Sequence, residues 1–294
     1  FRREPSNLFR FCPEAIDLRR AAGKAPAASQ SAEKLAEHLR QVIDAAKDAD
    51  ADVVVPVRHQ VTYRLTVAPN RPGARAGSLV RCWLPFPQEY RQQTSVRLIR
   101  TDPAGHRIAP NGWDGDRVLP EAQRTVYLEK RIEHPGAAVV FEQVFEFVCS
   151  AYYPRLDDHA VRPHDPDAPY LQERLPHIRF SPKLRDTVRE VVADETNPLR
   201  KVRRIFHHLD KTIRYCAEEE YTIIPGFSEK ALLSGRGDCG IQGMIFITMC
   251  RAAGVPARWQ SGWETKPWGH NMHDWAEFYV EPWGWLPADV SYGL

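Results

Sequence analysis

The stretch "GRGDCGIQGMIFITMCRAAGVPAR", Gly235 to Arg258, constrains the fold more than any other part of this 294-residue chain. Ile241, Met244, Ile245 and Thr248 recur at helical spacing, and Phe246, Ile247, Met249 and Cys250 fill most of the remaining circumference. A helix that is apolar nearly all round has to be buried, so other elements must enclose it. Gly254 and Pro256 close it, with glycine just past the last turn and proline beyond, and "VPARWQSGW" then turns straight into a strand. One residue does not fit a purely structural role: Cys239 occupies the first turn, after Asp238, with Gly240 and Gly243 permitting close backbone approach.

At a helix N-terminus the free N–H groups and the macrodipole favour negative charge. A thiolate nucleophile suits that position, and the same N–H groups can face an oxyanion on an attacked carbonyl. Buried structural cysteines are the commoner case, and Cys250, deep in the same helix, reads as one. What separates Cys239 from it is the downstream segment "GHNMHDWAEFYVEPWGWLPADVSYG". His273 opens a strand there, and Asp289 follows "PWGWLP", so a base and an orienting acid lie within one compact segment of the thiol. His270 is the rival base, in the Gly/Asn loop.

The rest of the chain falls into regions of distinct texture. In residues 1–51, "SAEKLAEHLRQVIDAAKDAD" places Leu35, Leu39, Val42 and Ile43 on one helical face, with a start after Ser31, behind a flexible "AAGKAPAASQ" connection. From 52 to 153 the pattern is that of strands. "VRHQVTYRLTV" alternates Val57, His59, Val61, Tyr63, Leu65 and Val67 against polar residues, which implies one buried and one solvated face. Similar runs separated by Pro, Gly, Asn and Asp argue for an antiparallel β-sandwich. Residues 154–180 read as a linker whose Asp157, Asp158, His159, His164 and Asp165 match no metal-ligand spacing. A catalytic domain over 181–294 opens on two helices capped by Ser181-Pro182 and Asn197-Pro198. Leu184, Val188, Val191 and Val192 stripe the first, and Val202, Ile205, Phe206, Leu209 and Ile213 the second.

Composition removes several classes of function. Lys+Arg of 40 against Asp+Glu of 38 leaves a net charge of +2, too balanced for a nucleic-acid partner. No apolar run approaches the ~18 residues that span a bilayer. The six cysteines show no CxxC pair, and "GRG" lacks a GxGxxG or GK[ST] context, so neither a zinc framework nor a phosphate or dinucleotide site is indicated. No metal and no organic cofactor is expected. The cysteines leave the compartment open, an extracytoplasmic one (periplasmic or secreted) included, and the oligomeric state is open too. Phe1 in place of Met implies a fragment or a processed form.

Four motifs in order, the G-x-C at a helix start, G-V-P-A-R closing that helix, H-x-W-x-E-x-Y, and G-W-x-P-x-D, resemble the transglutaminase-like superfamily of papain-like cysteine-protease fold, in particular bacterial members with an N-terminal β domain. The resemblance covers 180–294 well and 52–153 more loosely. It implies an α+β catalytic domain behind a β-sandwich, with Cys239 as nucleophile, His273 as base and Asp289 as the acid that orients it. An aromatic residue upstream of the cysteine often lends a second oxyanion donor in such relatives, and Tyr221, ahead of Tyr215, is the candidate. Arg258 and Glu277 belong to the pattern as a structural pair. Trp263 and Trp268, around "ETKPWGHN", are placed to wall a groove for a peptide or protein substrate. Relatives continue with further strands beyond the aspartate, whereas this chain ends at Leu294.

The chemistry so implied is acyl transfer at an amide through a thioester. Water as acceptor makes a peptidase or amidase, the expected outcome because the bacterial relatives lack an obvious device for excluding water. An amine acceptor makes a transglutaminase. A catalytically inactive surface-binding module is the alternative from another class.

Overall fold

The computed structural model describes residues 12–23, 30–109, 113–114, 117–118, 124–165, 168–266 and 269–292. The chain divides into two compact units, residues 33–155 and residues 156–294 with 1–32. The elements are α1 (Pro13–Ala21), α2 (Gln30–Ala49), β1 (Val53–Val67), β2 (Leu79–Pro85), β3 (Gln93–Asp102), β4 (Arg107–Ile108), β5 (Trp113–Asp114), β6 (Arg117–Val118), β7 (Thr125–Arg131) and β8 (Val139–Tyr152), then α3 (Pro182–Val192), α4 (Pro198–Thr212), β9 (Arg214–Tyr215), α5 (Phe227–Ser234), β10 (Arg236–Gly237), α6 (Cys239–Ala252), β11 (Ala257–Lys266), β12 (Gly269–Val280) and β13 (Gly284–Ala288). Residues 24–29, most of the expected flexible connection, lie outside the described residues. No helix among the described residues is long and apolar enough to cross a membrane.

In the 33–155 unit, antiparallel sheets β1-β8-β3 and β2-β7-β4 form a small sandwich. Phe86 lies edge-on to Phe145 at 5.4 Å, and Gln143 Nε2 donates to Pro85 O, which ties the two layers. β8 is the central strand, and Phe141 to Phe145 are all buried. Its Glu142 accepts from Arg64 and Arg100, which hold the carboxyl below its ordinary range against the opposing effect of burial. The alternating face of β1 is covered only in part. His59, Val61, Tyr63 and Val67 are half-buried, whereas Val57 and Leu65 stay exposed, because β1 is an edge strand. The stripe on α2 also differs from expectation. Val42 and Ala46 pack with Val54, and Leu39 is 52% exposed, so the buried line runs along i and i+4 from Val42.

The 156–294 unit is built around α6. Ser181 Oγ accepts from Leu184 N at 3.3 Å, and Asn197 Oδ1 accepts from Leu199 N and Arg200 N at 3.0 and 3.2 Å, so each cap starts the helix its sequence foretold. Leu184, Val188 and Val192 of α3 and Val202, Ile205 and Leu209 of α4 are buried, while Phe206 is half-buried and meets Phe246 of α6 edge-on at 6.4 Å. On its other side α6 meets the antiparallel sheet β11-β12-β13, where Phe278 lies 6.2 Å from Phe246. Every residue from Gly240 to Arg251 is buried. The segment expected to be a linker is fastened to this unit: Asp158 accepts from Arg200 and Arg203 at 3.2 and 2.5 Å, and Arg162 N donates to Glu281 O.

Candidate active site

The approach to the cysteine is set by short backbone pairings. Gly235 ends α5 in the left-handed region at φ 63°, a conformation that favours glycine, and turns the chain into β10. β10 runs parallel to β9, and Cys216 N donates to Gly237 O, which delivers Asp238 to the start of α6. Asp238 is the cap: its Oδ1 accepts from Ile241 N at 3.2 Å, and its carbonyl accepts from Gln242 N. Those two bonds leave the N–H groups of Cys239 and Gly240 as the open donors of the first turn. A side chain at Gly240 would run into the Tyr221 hydroxyl and into the Trp259 ring at 2.9 Å. At Gly243 an added Cβ would meet the Trp275 backbone at 3.6 Å, an ordinary contact, so only the first of the two glycines is required by close approach.

β12 and β13 bring the other two groups. His273 Nε2 lies 2.5 Å from Asp289 Oδ2, and Asp289 Oδ1 accepts from Ser291 N and Ser291 Oγ at 3.0 and 2.6 Å. The half-buried imidazole is flanked by Tyr292 at 5.5 Å and Trp275 at 6.4 Å, and it is close enough to the Cys239 thiol for the two to act on each other electrostatically. Burial opposes its charged form, but the bonds and charges of Asp289 and Cys239 outweigh that and push His273 up to about 10. Cys239, His273 and Asp289 therefore converge. Cys250 does not join them: it is fully buried, and burial pushes its thiol up.

Tyr221 is close by, on a 3₁₀ turn, and donates its phenolic hydrogen to Asp238 Oδ1 at 2.6 Å. Burial and the neighbouring carboxylates raise its pKa. Arg258 and Glu277 form a buried pair, with Nε and Nη2 2.7 and 2.6 Å from Oε2; Gln260 Nε2 adds a third bond at 2.7 Å, and the guanidinium lies 4.0 Å over the Trp285 ring. Trp263 is half-buried and pairs in register with Met272 of β12. Trp268 lies outside the described residues, as does the side chain of His270, whose backbone pairs with Thr265.

One group was missed. Asp274 Oδ2 lies 3.9 Å from Cys239 Sγ and accepts from the thiol. Its signal was present in the sequence, because Asp274 is in phase with Ala276, Phe278 and Val280, the buried side of β12. An acid on the inward face of a strand calls for a reason.

A model of the transglutaminase-like superfamily matches residues 185–290, the stretch that contains the thiol, the imidazole and the acid. Residues 185–290 form a transglutaminase-like domain. An uncharacterized protein of Haemophilus influenzae is 23% identical over 268 residues, 78% of this chain and 67% of that protein. The crystal structure of a Cytophaga hutchinsonii protein, provisionally named a cysteine protease, superposes with a TM-score of 0.57 at 16% identity, over 81% of this chain and 79% of that one. That likeness shows the fold, an α+β unit with a β-rich region ahead of it. The periplasmic domain of TgpA from Pseudomonas aeruginosa aligns at a TM-score of 0.41 with 16% identity, over 80% of this chain and 70% of that domain, too low a score to carry weight.

Proposed function

We propose that this chain is a cysteine-dependent acyltransferase acting at amide bonds, with water as the usual acceptor, so that it works as a peptidase or amidase. The observation that carries the reading is the His273 imidazole, bonded to Asp289 and near enough to the Cys239 thiol to interact with it electrostatically. With Nε2 committed to Asp289, Nδ1 is the nitrogen left for sulfur. Already carrying the thiol proton at neutral pH, the ring is an imidazolium paired with the thiolate that attacks the carbonyl carbon. The tetrahedral oxyanion faces the N–H groups of Cys239 and Gly240. Tyr221, whose hydrogen goes to Asp238, would join them only by turning away from that acceptor. The imidazolium then gives its proton to the leaving amine, and a thioester remains. Water, deprotonated by the imidazole, adds to the thioester and releases the acid and the thiol. Trp263 offers one wall for an extended peptide.

An amine in place of that water would make the same residues a transglutaminase. Mass spectrometry of a peptide library incubated with the protein, with and without an added primary amine, separates the two. Cleaved peptides that vanish in Cys239→Ala support hydrolysis, and products that carry the amine in preference support transamidation. If iodoacetamide labels Cys239 no faster than the other cysteines at neutral pH and no product forms, the chain is a binding module and the enzymatic reading is wrong.

A further inference from the structure

The acids of the 156–294 unit differ in how they are satisfied. Glu277 has Arg258, Glu218 has Lys230, and Asp289 has His273. Asp238 has the Tyr221 hydroxyl and the Ile241 N–H. Asp274 has only the long bond from the thiol, and among the described residues no lysine or arginine stands within ion-pair reach of it. The nearby charge of His273 is already shared with Asp289. Burial first, and then the charge of Asp238, push the Asp274 carboxyl up to about 6. At neutral pH it is ionised, half-buried and short of a counter-charge, a state that a cation from outside would relieve.

The strand register indicates what could supply that cation. Ser261 of β11 is opposite Asp274, and Trp263 is opposite Met272, so Trp263 stands on the same face as Asp274, one pair further along. Met272 is 70% exposed, so no described residue covers that position of the face. An aromatic wall in line with a carboxylate is a combination that receives ammonium and guanidinium groups.

Resting on the reading of Cys239 as the nucleophile, we propose that Asp274 is a specificity-determining residue. Its carboxylate selects substrates that carry a cationic group, ammonium or guanidinium, beside the carbonyl that meets the sulfur.

Two methanethiosulfonates of similar size test this without knowledge of the natural substrate, one bearing a trimethylammonium group and the other a sulfonate. Each is attacked by the thiolate, forms a mixed disulfide and releases methanesulfinate, and mass spectrometry of proteolytic peptides gives the rate at Cys239 apart from the other free cysteines. The ratio of cationic to anionic rates at pH 7.5 is expected to fall about tenfold in Asp274→Asn and to stay within about twofold of wild type in Asp274→Glu. In the wild type the ratio should also fall as the pH drops through about 6, where the carboxyl takes its proton. The groups facing it are Cys239 of α6 and its cap Asp238, His273 on its own strand, Asp289 after β13, and Tyr221. That pH-dependence must vanish in Asp274→Asn if it belongs to this carboxyl. An unchanged ratio in the asparagine variant, with Cys239 still the labelled residue, overturns the proposal. If the asparagine variant does not fold, Asp274→Ala takes its place, and an unchanged ratio there likewise overturns the proposal. Failure of either reagent to label Cys239 in the folded wild type would instead remove the nucleophile reading on which the proposal stands.

Discussion

Tyr221 gives its hydroxyl hydrogen to Asp238 Oδ1 across 2.6 Å, directly over the glycine that follows the thiol. The bond fastens the 3₁₀ turn to the cap of α6. Tyr221→Phe should cost about 1 kcal/mol in denaturant unfolding, the ordinary worth of one such bond. Turnover should stay within severalfold of wild type if the tyrosine only supports the cap. A loss as deep as that of His273→Ala would identify it as the side-chain oxyanion donor.

The three converging groups predict a ranking. Cys239→Ala should fold normally and form no thioester. His273→Ala should lose on the order of 10³-fold or more in turnover, and Asp289→Asn a comparable factor through misorientation of the ring. His270→Ala should have a much smaller effect. Single-turnover assays on the four variants, with melting curves to confirm folding, provide the check, and an inactive His270→Ala beside an active His273→Ala would reverse the assignment.

His273 also leaves a mark on stability. Its pKa rises from 6.5 to about 10 in the folded chain, so the folded state binds this proton more tightly. The stabilisation is fully present below about pH 6.5 and is lost as the pH climbs through about 10. Denaturation midpoints between pH 6 and 10.5 should fall for the wild type and change less for Asp289→Asn.

Asp274 bears on stability with the opposite outcome at neutral pH. Its carboxyl is raised from 3.8 to about 6, so its ionisation is harder in the folded state. Stability should decline from about pH 4 to pH 6 and remain reduced above, and Asp274→Asn should remove that decline. At pH 7.5 this variant is expected to melt a few degrees higher than the wild type, about the shift that 1 kcal/mol gives a domain of this size. A lower melting point would show that the carboxylate has a stabilising partner.

The Arg258–Glu277 pair is buried on both sides. Truncating one member leaves the other charge uncompensated, so Glu277→Ala should cost about 3–5 kcal/mol, whereas a double replacement by apolar residues of similar volume should cost far less. Equilibrium unfolding of the single and double variants measures the difference.

Most of the 156–294 half was legible because its signals are local. Ser181 and Asn197 announce their helices by cap chemistry, and the all-round apolar run of α6 can be satisfied only by burial. The pairing of His273 with Asp289 could be expected only from motif order, since nothing in the periodicity of β12 distinguishes an imidazole that meets a carboxylate from one that meets water. Asp274 was overlooked because flanking charges usually mark the solvated side of a strand, and here the phase with Ala276 and Phe278 decides the matter. Leu39 failed for a related reason. A helical stripe fixes which residues share a face, but the neighbour that covers it, here Val54 beyond the end of α2, fixes how far the cover extends.

The Glu277 carboxylate, with Arg258 of β11 beside it and Trp285 of β13 under that guanidinium, acts on all three strands at once. It stands four positions along β12 from His273, and Trp285 stands four positions before Asp289. Warming that frays the periphery is therefore expected to leave the strands that carry ring and acid in register until this rivet gives way. Under the proposed function, loss of turnover on heating should then come late, with the rupture of the sheet itself.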